Sequence, residues 1–128
     1  MTGSSPGGRQ SLSALVIALN EERNLADCLS SLAFADEIVV VDSGSSDTTC
    51  DIARRMGANV HTNPWPGYGP QKNFGMDRAS GDWILIVDAD ERVTPELREE
   101  ILGLLSSPGD PPQSAYTVPR KNFEYGRW

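Results

Sequence analysis

Cysteines, histidines and long apolar runs are scarce in this sequence, and each scarcity argues against a class of protein. Cys28 and Cys50 are the only cysteines, and they lack the spacing of a metal or redox motif. We therefore interpret both as reduced core thiols of an intracellular protein. His61 has no second histidine to join it, so we interpret it as an edge-strand residue. The longest apolar run, 12–19, is far shorter than the roughly 20 residues of a membrane-spanning helix.

Basic residues are also few. Eleven lysines and arginines stand against eighteen acids, which gives a net charge of -7. Because phosphate backbones select basic surfaces, this balance argues against nucleic acid as the main partner. A bound metal cation suits such a surface better.

The length of 128 residues has room for one modest domain. We predict a flexible arm over 1–10, where small polar residues lack the basic-then-apolar order of a signal peptide. The remaining residues, 11–128, are predicted to form one domain.

Apolar periodicity predicts alternating strands and helices along that domain. Strands are predicted at 12–19, 37–41, 59–62, 82–87 and, less completely, 114–118. Helices are predicted over 20–32 with Asn20 as cap, over 47–57 with Asp47 as cap, over 71–79, and from Thr94-Pro95 onward with a buried stripe of Leu97, Ile101, Leu104 and Leu105.

This alternation predicts an α/β fold, a Rossmann-like three-layer sandwich with a mostly parallel sheet. Ligands of such sheets bind beyond the carboxyl ends of the strands. The polar residues that directly follow the strands are therefore the candidates for a site.

Asp88 and Asp90 follow the most hydrophobic predicted strand and lie two positions apart. In extended backbone they leave the same face, and two like charges held that close favour a cation between them. Mg²⁺ and Mn²⁺ take carboxylate ligands together with substrate phosphates. A second interpretation, that the acids only end a strand and open a turn, stays open on these residues alone.

Asp42 and Lys72 are two further candidates. The turn at Gly44 and a helix cap explain residues 44–47 but leave Asp42 unexplained, and a carboxylate at a strand end can bind a nucleotide's base or ribose. Lys72 follows a loop rich in glycine and proline, where it would meet a base or a phosphate or would be solvated.

Four motifs taken in order resemble the family 2 glycosyltransferases, most closely the branch of lipopolysaccharide-core glucosyltransferases. They are A-L-N-E-E-R-N at 18–24, V-D-S-G-S-S-D at 41–47, Q-K-N at 71–73 and S-G-D-W-I-L-I-V-D-A-D-E-R at 80–92. The resemblance implies a GT-A fold, and transfer of a sugar from a nucleotide-diphosphate sugar to a saccharide or lipid-linked acceptor. It also implies inversion at the anomeric carbon and a divalent metal, Mn²⁺ or Mg²⁺.

The resemblance also implies roles for individual residues. Leu19 and Glu21 would border the base and ribose, and Asp42 would hydrogen-bond the nucleoside. Lys72 would lie by the base or diphosphate. Donor contacts would continue along 88–90, with Asp88 facing ribose and metal, Ala89 between the acids, and Asp90 as the principal metal ligand.

Two features depart from the family pattern. Many members carry a proline and an aromatic residue before the asparagine that Asn20 matches, whereas this chain has Ile17-Ala-Leu19, so aromatic stacking on the base is expected to be missing. Complete members are about twice as long, so we expect a domain truncated at its C-terminus, with the catalytic base beyond Trp128.

Partners and location follow only from the resemblance. We expect a bacterial cytoplasmic setting, either free in the cytoplasm or at the inner membrane surface. The aromatic and basic residues at 120–128 allow either a membrane or acceptor patch or, as we prefer, the edge of a larger fold that favours self-association. The alternatives are a nucleotide-binding module without catalysis and a receiver-like signalling domain, which needs a phosphorylatable aspartate at the end of its third strand.

Overall fold

In the part of the chain that the structure describes, five parallel strands form one sheet. The computed structural model describes residues 10–106 and 121–125. The strands are β1 (Leu12–Ala18), β2 (Glu37–Asp42), β3 (Asn59–Thr62), β4 (Trp83–Asp88) and β5 (Lys121–Tyr125). The helices are α1 (Leu25–Ser31), α2 (Thr49–Arg55), α3 (Tyr68–Arg78) and α4 (Pro95–Ser106).

The strand order is β3-β2-β1-β4-β5. β1 pairs with β2 on one side and with β4 on the other, so the order reverses between β1 and β4. This order is that of a Rossmann-type sheet, as predicted, whereas receiver domains have the order 2-1-3-4-5. The topology therefore excludes the receiver-like alternative.

Two apolar layers cover the sheet. Alternate side chains of β1 face opposite sides: Ala14 and Val16 pack with α1, α2 and α4, while Leu15 packs with residues of α3. Full burial of a valine or leucine side chain contributes about 1.5–3 kcal/mol. Strands that are apolar on both faces therefore favour a position between two layers of helices. The predicted three-layer architecture is confirmed.

Several predicted boundaries differ from the structure. α1 begins after Asn24, so the predicted cap by Asn20 is wrong; Asn20 instead has a positive φ of 53° and lies in the loop after β1. α3 begins at Tyr68, earlier than predicted, because Gly67 turns the chain at φ 112° and Pro70 is tolerated in a first helical turn.

The start of α4 is as predicted, since the backbone N–H of Leu97 donates to Oγ1 of Thr94 at 3.1 Å. Its buried face contains Ile101 and Leu105, but Leu104 is 36% exposed and its predicted burial is wrong. The strand predicted at 114–118 lies outside the described residues. No helix within the described ranges is long and apolar enough to cross a membrane.

Glu37 joins three elements at the amino ends of the strands. Its Oε1 accepts hydrogen bonds from the hydroxyl of Ser13 at 2.6 Å, and from the backbone N–H and hydroxyl of Ser80 at 2.9 and 3.1 Å. Burial raises the pKa of Glu37, but the hydrogen bonds from Ser13 and Ser80 outweigh it and hold that pKa below its usual 4.5. The charged form of Glu37 therefore stabilises the fold.

α3 approaches the sheet closely at Gly75. A Cβ atom at this position would lie 2.4 Å from Cδ1 of the buried Leu15. No larger residue fits there without movement of Leu15 or of the helix. This contact fixes the height of α3 above β1.

We expect Glu37→Gln to lower the free energy of unfolding by about 1 kcal/mol at neutral pH, because a neutral amide holds the serine donors more weakly. Since the pKa of Glu37 is lowered in the fold, its stabilisation is present above pH 4.5 and is lost as the pH falls through the folded value. Urea titrations across this range should show the two proteins converging in acid. Glu100→Gln, on the exposed side of α4, is the control; a difference that does not depend on pH would contradict this role of Glu37.

We expect Gly75→Ala to lower the free energy of unfolding by about 1–3 kcal/mol, because the added methyl group overpacks the contact with Leu15. Gly103→Ala in α4 is the matched control. No atom lies within 4 Å of a Cβ at Gly103, so alanine there should stabilise the protein by about 0.5–1 kcal/mol. Chemical denaturation of both variants tests the opposite signs, and a stabilising Gly75→Ala would contradict close packing of α3.

Candidate functional site

A cavity of about 490 Å³ lies beyond the carboxyl ends of the strands. It opens where β1 and β4 lie side by side, the point at which the strand order reverses. It is lined by Ile17, Ala18, Leu19, Glu21, Ser43, Trp65, Tyr68, Asp88, Ala89 and Asp90. Five of the seven predicted site residues therefore meet in one cavity, while their contact with a donor stays a prediction.

The loop after β1 is joined to the loop after β2 by reciprocal hydrogen bonds. The backbone N–H of Asn20 donates to Oγ of Ser45 at 2.7 Å, and Oδ1 of Asn20 accepts from the backbone N–H of Ser46 at 2.8 Å. Glu22 adds to this lock, because its Oε1 accepts from the backbone N–H of Thr48 at 3.1 Å and from its hydroxyl at 2.7 Å. Asn20 and Glu22 of the N-E-E-R-N motif thus hold the rim of the cavity rather than cap α1.

Asp42 is 1% exposed and lies at the end of β2. Its Oδ2 accepts from the backbone N–H groups of Gly44 and Ser45 at 2.9 and 2.7 Å, and its Oδ1 accepts from the hydroxyl of Ser45 at 2.5 Å. Its carboxylate therefore organises the turn, and the next residue, Ser43, lines the cavity. A nucleoside contact by Asp42 stays a prediction.

Three carboxylates gather at the end of β4. Oxygens of Asp88, Asp90 and Glu91 lie within 4.8 Å of one another. Glu91 was not among the predicted site residues; a turn brings it in, since its backbone N–H donates to the carbonyl of Asp88 at 2.9 Å. The sequence did contain a signal for this residue, since Glu91 directly follows Asp90.

Cys28 lies next to this acidic cluster. Its thiol lies against the end of β4, where Sγ donates to the backbone carbonyl of Asp88 at 3.7 Å. Burial raises the pKa of Cys28 to about 12, and the charges of Asp90 and Asp88 add to this effect. Both cysteines are free, and the buried Cys28 fits the prediction of a core thiol.

The loop after the acids is fixed to α1. Arg92 forms an ion pair with Asp27 at 2.9 Å, and the backbone N–H of Val93 donates to Oγ of Ser31 at 3.0 Å. These contacts direct the positive charge of Arg92 toward α1.

Two aromatic residues that were not among the predicted site residues also line the cavity. Trp65 lies in the loop after β3 and Tyr68 begins α3, with their ring centroids 6.4 Å apart at 43°. Nζ of Lys72 lies 5.2 Å from the centroid of Tyr68. Lys72 is not itself a lining residue, but its ammonium group lies over the ring of Tyr68, which lines the cavity.

Gln71 holds the aromatic loop in place. Although polar, it is fully buried, and its Nε2 donates to the carbonyl of Asn63 at 2.8 Å and to Oγ of Ser43 at 3.1 Å. Its Oε1 accepts from Nδ2 of Asn63 at 2.7 Å. The glutamine of the Q-K-N motif thus joins the end of β2 to the loop after β3.

Comparison with known proteins gives a family for this arrangement. The family model described as glycosyl transferase family 2 matches residues 13–127. The chain is similar to an uncharacterized glycosyltransferase of Rickettsia felis, with 39% identity over 85% of the chain. It is also similar to the lipopolysaccharide core biosynthesis glycosyltransferase LpsC of Rhizobium meliloti, with 41% identity over 75% of the chain.

Solved structures show the same architecture. Glucosyl-3-phosphoglycerate synthase of Mycobacterium tuberculosis, in complex with Mn²⁺, uridine diphosphate and phosphoglyceric acid, matches 78% of the chain with 28% identity and a TM-score of 0.63. This match confirms the predicted GT-A fold. The chain spans 39% and 37% of the length of the Rickettsia and Rhizobium relatives, and 40% of the mycobacterial chain.

We expect Gln71→Leu to lower the free energy of unfolding by about 1–3 kcal/mol, because the carbonyl and amide of Asn63 lose buried partners. Asn73→Leu is the matched control, since Asn73 is exposed on the same helix. Thermal or urea unfolding measures both. A Gln71→Leu protein as stable as the Asn73→Leu protein would show that this network does not hold the loop.

Proposed function

The chain belongs to glycosyl transferase family 2, and we propose that it binds the donor of a metal-dependent, inverting glycosyltransferase. The donor is a nucleotide-diphosphate sugar. The observation that carries the proposal is the cluster of Asp88, Asp90 and Glu91 at one end of a cavity that opens at the reversal of strand order. Inversion at the anomeric carbon rests on the resemblance of the motifs alone.

The acidic cluster fits a divalent cation. Mn²⁺ and Mg²⁺ prefer carboxylate oxygens and keep positions for phosphate oxygens, and three carboxylates within 4.8 Å supply the ligands and the charge. Asp90 and Asp88 would hold the ion, with Glu91 beside them. When bound, the cation supplies charge stabilisation for the leaving diphosphate. The complex of the mycobacterial synthase contains Mn²⁺ and uridine diphosphate, which supports this assignment.

The nucleoside would occupy the other part of the cavity. Leu19 and Glu21 follow β1 there, and Ser43 follows β2. Leu19 offers an apolar side chain that is 51% exposed, and Glu21 offers a carboxylate to ribose hydroxyls. The lock between the two loops holds these groups before the donor arrives, so little ordering entropy is lost on binding.

The pathway and the acceptor are further parts of the proposal. We place the enzyme in the synthesis of lipopolysaccharide or another cell-envelope polysaccharide, on the bacterial cytoplasmic side, with a saccharide or lipid-linked acceptor. The support is the similarity to LpsC and the motif resemblance. A contact with the inner membrane surface and self-association belong to the same proposal.

We expect calorimetry to detect binding of uridine diphosphate in the presence of Mn²⁺, and Asp90→Asn to weaken it. We expect the affinity to fall by about 10- to 100-fold or more. This is the range by which metal affinity falls when a group that hydrogen-bonds to a metal ligand is removed, and Asp90 would itself be a ligand. Asp77→Asn is the control, because Asp77 is exposed near the far end of α3 and its loss should leave affinity unchanged.

Equal affinity with and without Mn²⁺ would contradict the metal assignment. The transferase activity is tested in a longer protein that also contains the region over which the relatives extend. If that protein binds the donor but releases no nucleoside diphosphate, it is a nucleotide-binding module and the transferase proposal is overturned. Release of nucleoside diphosphate that requires both Mn²⁺ and Asp90 would support the proposal.

A further inference from the structure

Trp65 and Tyr68, which we call the aromatic wall, are exposed aromatic residues that line the cavity. Their relative exposures are 54% and 43%. Large exposed aromatic side chains in a concave site mark a place where a ligand binds. Their proximity, 6.4 Å between centroids, makes one apolar surface of the two rings.

The aromatic wall and the aspartates of the acidic cluster line one cavity but follow strands that are not neighbours in the sheet. The wall follows β3, whereas the acids follow β4, and two strands lie between them in the sheet. At about 4.8 Å per strand the two strand ends are roughly 14 Å apart. A ligand that bridges the two strand ends would hold its diphosphate by the acids and its other end by the wall.

The chemistry of the wall matches an uncharged planar group. The acids attract a cation and, through it, the diphosphate, so the charged part of the donor is bound at the β4 end. The wall offers ring faces instead, with Lys72 placed against Tyr68. Of the parts of a nucleotide-diphosphate sugar, the nucleobase is the planar aromatic one, and stacking is the interaction that such faces favour.

The wall is also held rigidly. The positive φ of Gly67 turns the chain between the two rings, and Gln71 fixes the loop to Asn63 and to Ser43. A fully buried polar side chain holds a loop whose aromatic rings remain exposed. This arrangement preorganises the rings for a ligand.

We propose that the aromatic wall stacks on the nucleobase of the donor and supplies the aromatic contact that Ile17-Ala-Leu19 lacks. This inference rests on the proposed donor site. Since every base has a π-face, the wall sets affinity for a nucleotide over a bare diphosphate and leaves the choice of base to contacts with its edge.

The test compares uridine diphosphate with inorganic pyrophosphate, each with Mn²⁺, by calorimetry. Trp65→Leu removes the ring but keeps an apolar side chain, and Trp65→Phe keeps a ring. We expect Trp65→Leu to weaken uridine diphosphate binding about 5- to 100-fold, with pyrophosphate affinity unchanged and Trp65→Phe close to the original protein. Tyr68→Leu should act in the same direction.

Met56→Leu is the control, because Met56 is 39% exposed beyond α2 and outside the cavity. Thermal unfolding of each variant establishes that it is folded. If the original protein binds neither probe, the proposed function fails. If the original protein binds both probes, two results would overturn stacking by the wall while the donor site stands. One is that the Trp65→Leu protein binds both probes as tightly as the original protein does, and the other is that it loses affinity for both probes by the same factor.

Discussion

Parallel pairing of β1 with both β2 and β4 is the constraint on which the rest of this structure depends. It places Ala18 opposite Asp42 and Ile17 opposite Asp88, so three chain segments leave the sheet at one edge. Because β1 is apolar on both faces, burial in the middle of a sandwich is its most stable position. The cavity lies at this edge, where the strand order reverses, which is the place at which such sheets bind ligands.

The polar side chains at that edge form two sets with different roles. Asn20, Glu22, Asp42 and Gln71 direct their side chains to backbone and side-chain groups of neighbouring loops, and so hold the rim. The acids after β4 instead gather into one cluster, while the neighbouring Arg92 pairs with Asp27 of α1. The rigid rim and the cluster of acids are the two features on which the proposed cation site rests.

The charge of the acids also reaches the core. Burial raises the pKa of the Cys28 thiol to about 12, and the charges of Asp90 and Asp88 add to that effect. A cation that binds the folded protein alone would stabilise it by mass action, so the proposed metal site would link the stability of the protein to occupancy of the site.

Local sequence determined the element types and the strand-end motifs, since apolar periodicity and acids that end a strand act over a few residues. Even the boundaries of β3 followed from sequence. Only the tertiary structure decided where side chains point across the loops. Asn20 was expected to cap a helix and instead holds a loop 26 residues away, while Trp65 lies in a loop without periodicity and joins the site through the buried Gln71. Hydrogen bonds between distant segments leave no local pattern, because their partners meet only when the sheet brings the strand ends together.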